Sequence, residues 1–150
     1  GNEFTKKIDT YSKENNSEVL LISAKIESEI SQITDFKDKQ DFLESMGLKE
    51  TGLKRVIKKG YEILNYINYF TAGEKELRAW TIIKGTMAPR AAGTIHSDME
   101  KGFIRAETIS FNDYLSHKGE AGAKEKGKLR LEGKEYEVKD GDIMHFLFNV

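Results

Sequence analysis

Residues 142–150, Asp142-Ile-Met-His-Phe-Leu-Phe-Asn-Val150, decide how the chain folds. In an extended strand successive side chains point to opposite sides, so Met144, Phe146, Phe148 and Val150 share one face. A row that apolar belongs at the centre of a sheet under a helix, because a slip of one residue would turn all of it to water. The helix that fits is APRAAGTIH, residues 88–96, with Pro89 in the first turn, where a missing N–H breaks no helical bond. Upstream of the row lie LRAWTIIKG (77–85), FIRAETIS (103–110), KLRLEG (128–133) and KEYEVKD (134–140), strand-like runs separated by glycine-containing turns. Residues 111–126 read as helical and break at Gly119. The C-terminal part is therefore predicted to be a compact α+β domain with a five-strand sheet, and its last strand should tie down the C-terminus.

The first half has a different rhythm. Phe4, Ile8 and Tyr11 recur at helical spacing, and EVLLIS (18–23) is apolar on both faces, as a buried parallel strand is. Followed by the acidic stretch from Lys25, it reads as the last βα unit of an α/β sheet whose other strands lie elsewhere. Residues 1 to about 35 are accordingly expected to be mobile or adventitiously packed. Phe42 and Met46 mark a helix over 38–46 closed by Gly47, and Leu53, Val56, Ile57, Tyr61 and Leu64 mark another over 52–64. YINYFTAGEK (66–75) ends the helical pattern, which places a boundary between 1–66 and 67–150. The opening Gly1-Asn2, with no methionine, reads as a cut with sequence missing upstream.

Composition narrows the partners. Lysine and arginine number 24 against 25 acids, a net charge of −1, so no global field steers the molecule to a polyanion. The absence of cysteine removes disulfides, CxxC redox chemistry and thiolate zinc sites. No apolar run reaches the roughly 18 residues of a spanning helix, and the N-terminal residues lack a signal-like apolar core. A cytoplasmic address away from membranes is expected.

Motifs with chemical potential are few. Gly122-Ala-Lys-Glu-Lys-Gly127-Lys128 has the glycine and lysine spacing of a phosphate-binding loop. Leu129 stands where a hydroxyl should meet magnesium, however, and the run leads into a strand instead of a helix. His96, His117 and His145 have no metal-binding spacing, and none is expected to hold a metal. His145 reads as a sheet residue on the face opposite Phe146. His96-Ser97-Asp98 are too close in sequence to form a triad, and a capping role for Ser97 or Asp98 is expected. The remaining signal is local positive charge: Arg78, Lys84, Arg90, Lys101, Arg105, Lys128 and Arg130, with Lys124 and Lys126, interleaved with Trp80, Phe103 and Tyr114. Such a mixture can track an RNA backbone and stack on bases. It equally fits a mixed-charge surface, given Glu74, Glu76, Glu100, Glu107, Glu120 and Glu125 nearby. No residue is offered as catalytic.

Longer runs carry a resemblance. NYFTAGEKELRAWTIIKGTMAPRAAGTIHSDMEKGFIRAETISFNDYL (68–115) and GAKEKGKLRLEGKEYEVKDGDIMHFLFNV (122–150) closely resemble the C-terminal end of the Obg-like ATPases, the YchF-type branch of the translation-factor GTPases. EVLLISAKIESEI (18–30) resembles that family's last G-domain strand with its SAK motif, and DFLESMGLKETGLKRVIKKGYEIL (41–64) the helices after it. The resemblance implies a longer parent that binds ATP, and GTP less well, with magnesium and hydrolyses it. Its phosphate loop and magnesium-binding residues would precede Gly1. It implies a TGS domain over 67–150, a β-grasp (ubiquitin-like) fold, preceded over 1–66 by an α/β remnant of the P-loop G domain. By carry-over Ser23, Ala24 and Lys25 would stand beside the purine ring in the intact parent. In the run from Ala91 to Glu107, Gly93 and Gly102 would serve backbone geometry, Phe103 the core, and His96 with Asp98 local hydrogen bonding.

The function so implied is a regulatory and binding module, not itself catalytic, of a ribosome-associated nucleotide hydrolase. It would be monomeric and would contact its own G domain and the ribosome or ribosomal RNA. Two rivals stand beside it: a protein-docking β-grasp domain without nucleic-acid contact, and an enzyme assembling a nucleotide site from Ser23, Lys25 and the Gly122 loop.

Overall fold

The computed structural model describes residues 2–73 and 76–149. Four helices come first: α1 (Glu3–Glu14), α2 (Ala24–Gln32), α3 (Phe36–Ser45) and α4 (Gly52–Ile63). There follow β1 (Tyr66–Ala72), β2 (Leu77–Ile83), α5 (Ala88–Ile95), α6 (Ser97–Lys101), β3 (Phe103–Ser110), α7 (Phe111–Ser116), α8 (Glu120–Glu125), β4 (Arg130–Glu132) and β5 (Asp142–Phe148). The chain divides into two compact units, Gly1–Gly60 and Tyr61–Val150.

In the second unit the strands lie in the order β2-β1-β5-β3-β4. β1 and β2 form an antiparallel hairpin with Tyr69 opposite Trp80, and β1 runs parallel to β5 with Phe70 beside Ile143. β3 is antiparallel to both β5 and β4. The strand 142–148 thus occupies the middle of the sheet, as its alternation requires. Met144 and Phe146 are 1% and 4% exposed and share a core with Ala88, Ala91 and Ala92 of α5 and with Phe103. The alanines let helix and sheet approach closely, and burial of a side chain like Phe146 contributes about 2–3 kcal/mol. Tyr69 completes the contact: its ring meets Phe146 edge-on at 5.7 Å, and its hydroxyl donates to the Ala91 carbonyl at 2.9 Å. Phe148 is 41% exposed, at the end of the row, and Val150 lies outside the described residues.

Two strand assignments need correction. YINYFTA does not merely end the helical pattern; it is β1, the partner of both β2 and β5. Its aromatics masked the alternation, and the apolar stripe of α4 runs up to it until Asn65, at φ +53°, breaks the helix. KEYEVKD is not a sheet strand. It makes one isolated bridge, Met87 to Glu137, because a turn closes from Tyr136 N to the Gly133 carbonyl. Val138 is nevertheless buried and Tyr136 packs against the core, so the apolar positions were legible though their geometry was not.

In the first unit, residues 18–23 form no strand; Val19, Leu21 and Ile22 are 39%, 61% and 41% exposed. A strand needs a ladder partner, and the described residues of this unit supply only helices. α3 is capped by the Asp35 carboxylate, which accepts from Lys37 N and Asp38 N. It ends in Gly47 at φ +67°, with Leu48 N donating to the Leu43 carbonyl at 2.9 Å, the closure expected of a glycine there. α7 and α8 are separate helices joined through Gly119, as predicted.

Candidate functional site

Ser23, Ala24 and Lys25 open α2. The Ser23 hydroxyl caps the helix by accepting from Ile26 N at 3.4 Å, and its carbonyl accepts from Glu27 N. Ala24 and Lys25 are exposed residues in the first turn, and their amides have no hydrogen-bond partner among the described residues, as the first N–H groups of a helix have none within it. The Lys25 ammonium stands 4.0 Å from Glu29 on an open surface, a pair of little energetic weight. What fixes this segment is α4. The Glu27 carboxylate accepts from Gly52 N at 2.7 Å and from Leu53 N at 3.3 Å, and Arg55 donates to the Leu21 carbonyl at 3.1 Å.

The glycine–lysine run is built for packing. Gly122 sits inside α8, where a Cβ would collide with the His117 carbonyl, and Gly127 at φ +65° closes that helix. The Lys128 ammonium lies 3.5 Å from Asp113. The Ser110 hydroxyl, then Lys128, hold the Asp113 carboxyl below the usual range. These residues do not fit a triphosphate. Among the described residues no three His, Asp or Glu side chains are placed to hold a metal ion.

The cations are dispersed. Arg78 lies on β2 with its guanidinium 4.2 Å over the Trp80 ring, whose N–H is held by the Thr71 hydroxyl at 3.0 Å. Arg130 lies on β4 and serves the fold. It donates to the Tyr136 hydroxyl at 3.0 Å and to Asp142 at 3.4 Å, and Asp142 is 2% exposed. Tyr136 donates to the same carboxylate at 2.7 Å, as does Lys139 N at 2.9 Å. Burial, and then the Asp142 carboxylate, push the Tyr136 hydroxyl well above its ordinary pKa. The register puts Arg78 and Arg130 on the helix-facing side at the two outer strands, roughly 19 Å apart across the sheet. Arg105, paired with Leu147 on β3, points to the other side and is exposed. Lys84 follows β2, Arg90 lies on α5 and Lys101 ends α6, all exposed. Arg78, Arg105 and Arg130 are therefore not brought into one patch.

The sheet side away from α5 carries exposed Leu77, Ile83, Leu131 and His145, while α7 covers part of it through Phe111 on Phe70, ring to ring at 6.2 Å. His96, not Ser97 or Asp98, provides the cap of α6. Its Nδ1 accepts from Asp98 N at 3.2 Å, because only the residue before the helix has the extended backbone a cap needs. Sequence reasoning missed Glu27, Arg55 and the Arg130–Tyr136–Asp142 cluster. Glu27 meets its partners 25 and 26 residues away, beyond any local pattern.

Comparison with known proteins supplies the lineage. The family profile YchF-GTPase_C, described as a protein of unknown function (DUF933), matches residues 66–149. "Ribosome-binding ATPase YchF" of Bacillus subtilis (strain 168) is 56% identical over 150 residues, covering 100% of this chain and 41% of that protein. The protein of the same name from Escherichia coli O157:H7 is 52% identical over 149 residues, covering 99% and 41%. The solved Schizosaccharomyces pombe YchF GTPase superposes with a TM-score of 0.83 at 36% identity, over 97% of this chain and 39% of that one. A GTP binding protein from Pyrococcus horikoshii OT3, at 18% identity and a TM-score of 0.67, covering 99% and 42%, shares the fold. The chain thus spans 41% of the length of these two curated relatives. With more than half its residues matched by the family profile, and a superposition on a solved member at a TM-score of 0.83, the chain belongs to the YchF family.

Proposed function

We propose that this chain is the C-terminal, ribosome-contacting and regulatory part of a cytoplasmic protein whose intact form binds and hydrolyses ATP, and GTP less well, with magnesium. The observation that carries the reading is 56% identity across the whole chain to a relative called a ribosome-binding ATPase. In this reading 67–150 is a TGS domain of β-grasp type, supported by the order β2-β1-β5-β3-β4, the parallel β1–β5 pair and one principal helix on one face. Residues 1–66 are the end of the G domain, and Ser23, Ala24 and Lys25 meet the purine ring, which two unpartnered amides suit. The module is monomeric and touches its own G domain. Lys84, Arg90 and Lys101, exposed cations that make no ion pair among the described residues, carry the contact with ribosomal RNA, and Arg105 adds to it from the other side of the sheet; Arg78, Lys128 and Arg130 contribute less because they have partners in the fold.

The test is co-sedimentation of the purified chain, and of a piece spanning residues 61–150, with ribosomes. A piece beginning at Tyr69 would cut β1 in half. Binding by both supports the reading, and binding by neither overturns it for this part of the protein. A second reading, docking onto a protein surface without nucleic-acid contact, is favoured by exposed Leu77, Ile83 and Leu131 on the open sheet side. Binding indifferent to salt would select it.

A further inference from the structure

We propose that the first turn of α4 is the positioning element for the base-approaching segment, with Glu27 and Arg55 as positioning residues for nucleotide recognition; this rests on the reading that Ser23, Ala24 and Lys25 meet the purine ring. Three contacts converge on residues 21–27 from one turn of helix. Glu27 spans the amides of Gly52 and Leu53 with its two oxygens, at 2.7 and 3.3 Å. Arg55 holds the Leu21 carbonyl at 3.1 Å. Gly52, buried, lets the turn come so close that a Cβ there would stand 2.7 Å from Glu27 Oε1 and 3.0 Å from Ile22 Cγ2.

The contacts flank the proposed site on both sides. Leu21 lies two residues before Ser23, and Glu27 two after Lys25. Between them Ala24 and Lys25 are exposed and their amides have no partner among the described residues, and residues 18–23 have no strand ladder there to fix them. The placement of those donors in this unit is consequently inherited from α4. A carboxylate at the amino end of a helix is favoured by the helix dipole as well as by its two hydrogen bonds, so Glu27 has reason to stay there. Neither Glu27 nor Arg55 is assigned any contact with nucleotide; both act through the backbone they hold.

The test measures equilibrium binding of ATP, and separately of inorganic tripolyphosphate, to the full-length nucleotide-binding protein that the proposal implies. Glu27→Ala and Arg55→Met are each expected to weaken ATP binding about tenfold, the scale of one lost charge-assisted hydrogen bond. Tripolyphosphate binding should be unchanged, because it has no base to reach the segment. Glu27→Gln and Arg55→Lys should restore part of the ATP affinity, which a general loss of folding would not allow. Ala24→Pro supplies the control for the underlying reading: proline is tolerated at the first helical position and removes only an amide donor. ATP affinity reduced by Ala24→Pro but untouched by Glu27→Ala and Arg55→Met overturns the positioning role alone. ATP affinity untouched by Ala24→Pro overturns the base contact, and the inference with it. Equal loss for ATP and tripolyphosphate in the Glu27 and Arg55 variants also overturns the inference, since the effect would then not be on the base.

Discussion

Thr108 is fully buried on β3, and its hydroxyl finds no partner among the described residues. A desolvated hydroxyl without a hydrogen bond costs more than its methyl replacement of the same shape, so Thr108→Val is expected to stabilise the protein by about 1 kcal/mol. A rise in the thermal midpoint checks this, and a fall would mean that the hydroxyl is satisfied. Arg130 presents the opposite case. It sits over the buried Asp142 carboxylate, so Arg130→Met should cost about 2 kcal/mol. The figure is discounted from that of a buried pair because Arg130 is 40% exposed. Arg105→Ala, on the open side, should change denaturant stability by less than about 0.5 kcal/mol. Equal effects from the two would remove the distinction between a fold arginine and a surface arginine. In the sequence they stood together as candidate RNA contacts, because charge is legible there and the carboxylate it neutralises is not.

At the scale of elements, what could be read was whatever depends on local period and caps. The alternation of 142–148, the proline-led helix α5, Gly47 and the break at Gly119 all follow from short-range rules, and the structure bears them out. What depends on partners was less legible. β1 hid behind its aromatics because a strand apolar on both sides lacks a clean period, and 134–140 alternates like a strand yet receives a turn. Residues 18–23 had strand composition without strand neighbours in this unit. The segment proposed to meet the base was visible as a motif; its support by Glu27 and Arg55 was not. Gly122 offers an element-scale test. Alanine is the better helix former by about 1 kcal/mol, so propensity alone makes Gly122→Ala stabilising. The collision with the His117 carbonyl should outweigh this and destabilise by about 1–2 kcal/mol, whereas Gly133→Ala, in open space, should be nearly neutral in the same denaturant melt. A stabilised Gly122→Ala protein would show that α8 does not pack so closely.

For the whole molecule, two tyrosines, Tyr69 buried and Tyr136 half-buried, set an alkaline limit. Burial raises the Tyr69 hydroxyl, and burial with Asp142 raises that of Tyr136. The unfolded chain ionises near the ordinary value of about 10 while the folded one stays protonated. Their contribution is thus complete below that pH and is lost as pH rises toward the folded values. Denaturant melts between pH 8 and about 11 should show stability falling from near pH 10, more steeply than in Tyr69→Phe and Tyr136→Phe. Parallel curves would contradict the burial of these hydroxyls. Function at this scale rests on a molecule with almost no net charge, so any attraction to RNA must come from a few exposed cations. The most direct measurement is the affinity of the piece spanning 61–150 for ribosomes as salt is raised. With about four phosphate contacts, affinity should fall roughly fiftyfold to a hundred-and-fiftyfold between about 50 and 200 mM salt. Binding that stays constant over that range would contradict an RNA contact through Lys84, Arg90, Lys101 and Arg105.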